Sequence, residues 1–116
     1  MKAFLKNYRQ APRKVRLVAN HVRGKNVAVA LDELSLMSQK SAPVLRKLIA
    51  SALANAQQKD AAIRAEDVTV GTITVDKGLT YTRFMPRAFG RATPINRECA
   101  HVRVELKPVH APEQAA

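Results

Sequence analysis

The segment Tyr81-Thr82-Arg83-Phe84-Met85-Pro86-Arg87-Ala88-Phe89-Gly90-Arg91-Ala92-Thr93-Pro94-Ile95-Asn96-Arg97 constrains this chain more than any other. Arg83, Arg87, Arg91 and Arg97 fall within it and no acid does. Pro86, Gly90 and Pro94 interrupt it, and Met85, Phe89 and Ile95 are apolar without a regular period. It therefore has no stripe with which to build a core of its own. A long basic loop of this kind, with strand-like sequence on either side, needs a polyanion to give it shape.

The rest of the charge points the same way. The 116 residues, 47% of them apolar, suffice for one domain with a modest core, but Lys plus Arg outnumber Asp plus Glu by 20 to 9, for a net charge of +11. Self-repulsion on that scale is relieved by an anionic partner, nucleic acid first and an anionic membrane surface second. The excess is concentrated. Lys2, Lys6, Arg9, Arg13, Lys14, Arg16, Arg23 and Lys25 all precede the first acid, Asp32, and a second acid-free run covers Lys77 to Arg97. Asp32 to Asp76 is nearer balance, so two basic regions flank an ordinary scaffold.

Helical and strand periods account for the remainder. Ala3 to Arg9 is a short candidate strand with poor alternation. Ala11-Pro12 suits a helix start, and Val15, Val18, Ala19 and Val22 share one helical side up to a stop at Gly24, with Leu17 off that arc. Asn26 is a candidate N-cap for a helix from Val27 to about Met37, burying Val27, Ala30, Leu31 and Leu34. A longer helix is expected over Ser41 to Lys59, capped by Ser38 or Ser41, with an apolar arc running from Val44 to Ala56 and Lys47, Ser51 and Asn55 along one edge. In the strand Asp67 to Val75, Val68 and Val70 have one parity and Ile73 and Val75 the other, which predicts a bulge at Gly71. Val102, Val104 and Leu106 alternate in a last strand, and residues 108–116 read as a loose tail. The expected fold is α+β: three helices packed on a small three-stranded antiparallel sheet. A body of 1–77 and 99–107 holds out an extended β-hairpin of 78–98, with an arm on the order of 30 Å at roughly 3.3 Å per residue.

Enzymatic chemistry has no foothold. Cys99 is the sole cysteine, so neither an intrachain disulfide nor a cysteine metal cluster forms. Cys99 and His101 share a strand parity but lack a third group to orient the imidazole, and His21 and His110 lack metal-ligand spacing with it. No phosphate loop, paired carboxylates or nucleophile elbow appears, so no catalytic residue, metal or cofactor is expected. No apolar run reaches membrane-spanning length and no signal peptide is evident, so the chain reads as soluble and intracellular.

Several blocks, in order, resemble one family. Ala11-Pro12-Arg13-Lys14-Val15-Arg16-Leu17-Val18-Ala19 with Val22-Arg23-Gly24-Lys25, then Ser51-Ala52-Leu53-Ala54-Asn55-Ala56, Val75-Asp76-Lys77-Gly78, Met85-Pro86-Arg87-Ala88-Phe89-Gly90-Arg91-Ala92 and His101-Val102-Arg103-Val104 are similar to motifs of bacterial-type large-subunit ribosomal proteins of the twenty-two family. The resemblance implies a structural protein of the cytoplasmic large ribosomal subunit that binds large-subunit ribosomal RNA, neighbours other ribosomal proteins and lies off any membrane. It also implies a hairpin tip that lines the nascent-peptide exit tunnel and meets the nascent polypeptide. The pattern is departed from at Thr82 and Phe89, where basic residues are usual, and at Glu98-Cys99-Ala100.

The candidate RNA-binding residues are Arg9, Arg13, Lys14, Arg16, Arg23, Lys25, Lys77, Arg83, Arg87, Arg91 and Arg97, since guanidinium groups fork onto phosphates and stack on bases. Pro86, Arg87, Ala88, Phe89, Gly90 and Arg91 are the candidate tunnel-lining tip, Pro86 and Gly90 shaping it. The alternative reading of the whole chain is a basic membrane-surface or general nucleic-acid-binding module.

Overall fold

The computed structural model describes residues 2–108; of the tail expected over 108–116, Pro108 instead pairs with Val68 at the end of a strand, and the rest lies outside the described residues. The elements follow in order: strand β1 (Lys2–Tyr8), helices α1 (Pro12–Val22), α2 (Val27–Leu36) and α3 (Ala42–Lys59), then the long strands β2 (Val68–Pro86) and β3 (Ala92–Pro108). The strands form one antiparallel sheet in the order β1-β3-β2. The α+β expectation holds.

The helices form where the apolar period placed them. Pro12, Val15, Val18, Ala19 and Val22 are buried on α1 while Leu17 is exposed, and Gly24 follows with φ +80°, a conformation that favours glycine. Asn26 caps α2 by accepting from the Ala28 N–H at 3.0 Å. Of its expected stripe, Val27, Ala30 and Leu34 are buried, and Leu31 only partly so. Helix α3 buries Leu45, Leu48, Ile49, Ala52 and Ala56 against β1 and β3, while α1 lies over β2. Its start departs from expectation. Ser41 occupies the cap position, but its own backbone is already helical (φ −81°, ψ −11°) and its hydroxyl makes no cap bond. The side chain is buried without a hydrogen-bond partner among the described residues.

The sheet is bent by three irregularities. Gly71 is the bulge that the parity switch predicted: the pairing shifts between Val70 and Thr72, which keeps Val68, Val70, Ile73 and Val75 all in the core. A side chain at Gly71 would collide with Lys107. A second bulge sets Gly78 and Leu79 opposite Cys99, between the pairs Lys77–Ala100 and Thr80–Glu98. The third is in β1, between Leu5 and Tyr8, where Asn7 has φ +57°.

The basic segment forms the expected extended hairpin. Beyond the second bulge β2 and β3 continue as a ladder, Thr80 opposite Glu98 through Pro86 opposite Ala92. This two-stranded arm makes the molecule 66 Å long and only 27 by 26 Å across. The radius of gyration, 17.7 Å, exceeds the ~13 Å of a compact 100-residue domain because the arm stands off the body.

Candidate nucleic-acid interface

Arm, tip, arm root and the first turn of α1 make up the cationic surface. On the arm every residue from Leu79 to Ala92 is exposed, so none of its side chains is held by a core. Arg83, Arg87, Arg91 and Arg97 are exposed and have no acidic partner among the described residues. Ile95 is half-buried, so of the three apolar residues singled out in the segment it alone has local cover. Phe84 and Leu79, which no sequence pattern singled out, are exposed too, at 71% and 59%.

The tip is a five-residue turn closed by the Arg87 N–H donating to the Arg91 carbonyl at 2.6 Å, with a 3₁₀ turn at Ala88–Gly90 inside it. Phe89 has φ +61° and Gly90 φ +74°. Glycine takes that conformation freely; phenylalanine is strained in it, and here its ring is 99% exposed. The turn thus holds an aromatic ring out at the furthest point of the molecule with nothing of its own to pack on. Pro86 forms the last ladder pair, with Ala92, and Arg87, Ala88, Gly90 and Arg91 complete the turn around Phe89.

At the arm root the guanidiniums of Arg9 and Arg83 both lie near the Tyr81 ring, at 5.9 and 5.7 Å from its centroid. Arg9 belongs to the loop after β1 and Tyr81 to the arm, so this cation–π contact ties arm to body. Tyr81 is opposite Arg97 in the ladder.

The α1 patch divides into two kinds of residue. Arg13 and Lys14 are exposed and make no side-chain bond among the described residues. Arg16 and Arg23 instead clasp the outer edge of β2. Arg16 donates from Nε and Nη2 to the Val75 carbonyl (3.1 and 2.9 Å), and Arg23 from Nη2 to the Ile73 carbonyl (2.7 Å). The Gly24 N–H bonds the Val70 carbonyl, and the Val70 N–H bonds the Lys25 carbonyl. β2 is an edge strand, and these groups occupy main-chain atoms that would otherwise be open to another strand. On the opposite edge, Asn55 of α3 donates to the Lys2 carbonyl of β1 at 3.0 Å. Lys25 is held by Glu33, whose carboxyl is pulled below its usual range chiefly by the hydrogen bond from Lys25, and His21 lies 3.1 Å from the same carboxylate. Lys77 is 3.6 Å from Glu98. The candidates thus divide by geometry: among the described residues Arg13, Lys14, Arg87, Arg91 and Arg97 have no acidic partner, Arg9 and Arg83 lie against the Tyr81 ring without one, and Arg16, Arg23, Lys25 and Lys77 are held by carbonyls or carboxylates.

This surface suits a polyanion. Cys99 is buried. Among the described residues no cluster of three metal-ligating side chains occurs, and no helix is long and apolar enough to cross a membrane.

Residues 3–107 match the sequence model of the family described as Ribosomal protein L22p/L17e. The chain belongs to that family. It is 51% identical over 104 residues to the large ribosomal subunit protein uL22 of Anaeromyxobacter sp. (strain Fw109-5), covering 90% of this chain and 72% of that one. It is 47% identical to uL22 of Myxococcus xanthus (strain DK1622), covering 90% and 92%. The uL22 protein of Herpetosiphon aurantiacus is likewise 47% identical, covering 89% and 90%. The match spans body and arm alike, and these relatives are bacterial ribosomal proteins rather than enzymes.

Proposed function

We propose that this protein is a structural constituent of the large ribosomal subunit in the bacterial cytoplasm, where it binds and organises large-subunit ribosomal RNA. In this reading the tip, Pro86 to Arg91, forms part of the wall of the nascent-peptide exit tunnel. One observation carries the proposal: a cationic two-stranded arm without a single acid between Lys77 and Arg97 stands clear of the body. A two-stranded ribbon alone in water is marginal, so its order comes from what surrounds it. RNA supplies phosphates for Arg83, Arg87, Arg91 and Arg97, and unpaired bases for Phe84 and Phe89 to stack on. The body contributes Arg9, Arg13 and Lys14 from the side where the arm begins. Neighbouring ribosomal proteins and the nascent polypeptide, the latter at Phe89, complete the set of partners.

Trypsin tests the reading. It is expected to cut the free protein at Arg83, Arg87 and Arg91, and to leave the same bonds intact in the assembled large subunit. Equal cleavage rates in both states would overturn it.

A further inference from the structure

Helix α2 is the chemical exception in this chain. Only Asp32, Glu33 and Ser35 of its residues are polar and none is Lys or Arg, whereas α1 and α3 both carry cations. Val27, Ala30 and Leu34 face the core. Val29, Asp32 and Leu36 follow one another at spacings of three and four, so they form one ridge on the opposite side. All three are exposed, Val29 at 48% and Leu36 at 87%. A helix that is apolar on the side away from its core as well as toward it is normally covered on both. No part of the described chain covers this ridge.

The charge on the ridge selects what covers it. Glu33, beside the ridge, is already satisfied by Lys25 and His21. Asp32 has no ion-pair partner among the described residues. An RNA phosphate brought against Asp32 would be repelled, and α2 has no cation to hold it there. A second copy of the chain offering the same ridge would set acid against acid across a twofold axis. Residues 109–116 contain no Lys or Arg to meet it. A polypeptide that brings apolar side chains together with a Lys or Arg matches all three positions.

We propose that the Val29–Asp32–Leu36 ridge docks a neighbouring protein of the large subunit through a basic amphipathic segment, whose apolar side chains cover Val29 and Leu36 and whose cation pairs with Asp32. Positions i, i+3 and i+7 are those by which a helix face seats in a partner's groove. A protein lodged against the same RNA carries cations for the same electrostatic reason as this one. The proposal rests on the ribosomal reading above and gives one of its protein contacts a place and a chemistry.

The test is photo-cross-linking in purified large subunits that carry the full-length protein with p-benzoylphenylalanine, itself apolar, in place of Leu36. A single protein cross-link is expected, on a peptide with Lys or Arg within about one helical turn of the linked residue. Asp32→Lys, added to the probe chain, should lower the yield about tenfold by setting like charges opposite each other, with incorporation into subunits unchanged. Cross-links to RNA, to a second copy of this chain or to nothing would each overturn the proposal. So would a protein cross-link that Asp32→Lys leaves undiminished. The same probe in place of Phe84, on the arm, should link to RNA. A silent Leu36 probe beside a working Phe84 probe removes the docking site alone, a silent Phe84 probe counts against the RNA-binding reading, and a chain that never enters the subunit overturns the ribosomal reading and the docking site together.

Discussion

The backbone N–H of Asn7 donates to Nδ1 of His101 at 3.1 Å, joining the bulge of edge strand β1 to the central strand. On the other side of His101, a side chain at Gly78 would come within 2.9 Å of Nε2. The imidazole therefore sits between two bulges at the level where the arm leaves the body. Accepting at Nδ1 requires the neutral tautomer protonated on Nε2. Ring nitrogen shifts of the neutral imidazole are expected to report the proton on Nε2. His101→Phe, which removes the acceptor, should cost about 1 kcal/mol of stability.

Arg16 and Arg23 differ in kind from Arg13 and Lys14, although all four look alike in the chain. Arg16→Ala and Arg23→Ala each expose a β2 edge carbonyl and should lower stability by ~1–2 kcal/mol in urea unfolding. Arg13→Ala and Lys14→Ala should leave the unfolding midpoint in place. They should weaken RNA binding instead, each reducing the salt slope by about 1.

Acid should loosen the body. The Glu33 carboxyl is held low by the hydrogen bond from Lys25, and the Glu105 carboxyl by that from Lys2 with Arg103 beside it. A carboxyl whose folded value is depressed adds stability above its unfolded value and loses it as pH falls through the folded one. The thermal midpoint should therefore drop on acidification through and below the ordinary carboxylate range. Glu33→Gln with Glu105→Gln should flatten that drop. Both groups are near the surface, so the effect should be small and diminish in high salt.

Replacing residues 82–96 with a short turn removes side chains that are exposed, Ile95 being half-buried. The shortened protein should keep its helical circular dichroism and melt within a few degrees of the full chain, with reduced RNA affinity. Loss of the helical signal would show that arm and body fold as one unit.

How much of this was legible in the chain depended on whether a pattern faced a core. Val15, Val18, Ala19 and Val22 have only one solution as a helix. The parity switch at Gly71 has only one as a strand that keeps its face. The arm strands beyond Leu79 face solvent on both sides, so no alternation marks them, and only their flanks point to a hairpin. The partners of Arg16 and Arg23 are backbone carbonyls, which no residue type reveals. Asn55 was visible only as the edge of a helical arc; its bond to Lys2 depends on which strand lies beside α3. Ser41 had the right residue type for a cap but the wrong backbone. The Arg9–Tyr81 contact joins residues far apart in the chain, one on the loop after β1 and the other on the arm.

The most direct measurement is the salt dependence of binding to large-subunit ribosomal RNA, for the wild-type protein and for one with Arg83, Arg87, Arg91 and Arg97 all changed to Gln. If the arm lies along RNA phosphates, the slope of log K against log salt should fall in magnitude by about three to four in the variant, with the melting point unchanged. An identical slope for the two proteins would contradict the account, because the arm's cations would then be meeting water and not RNA.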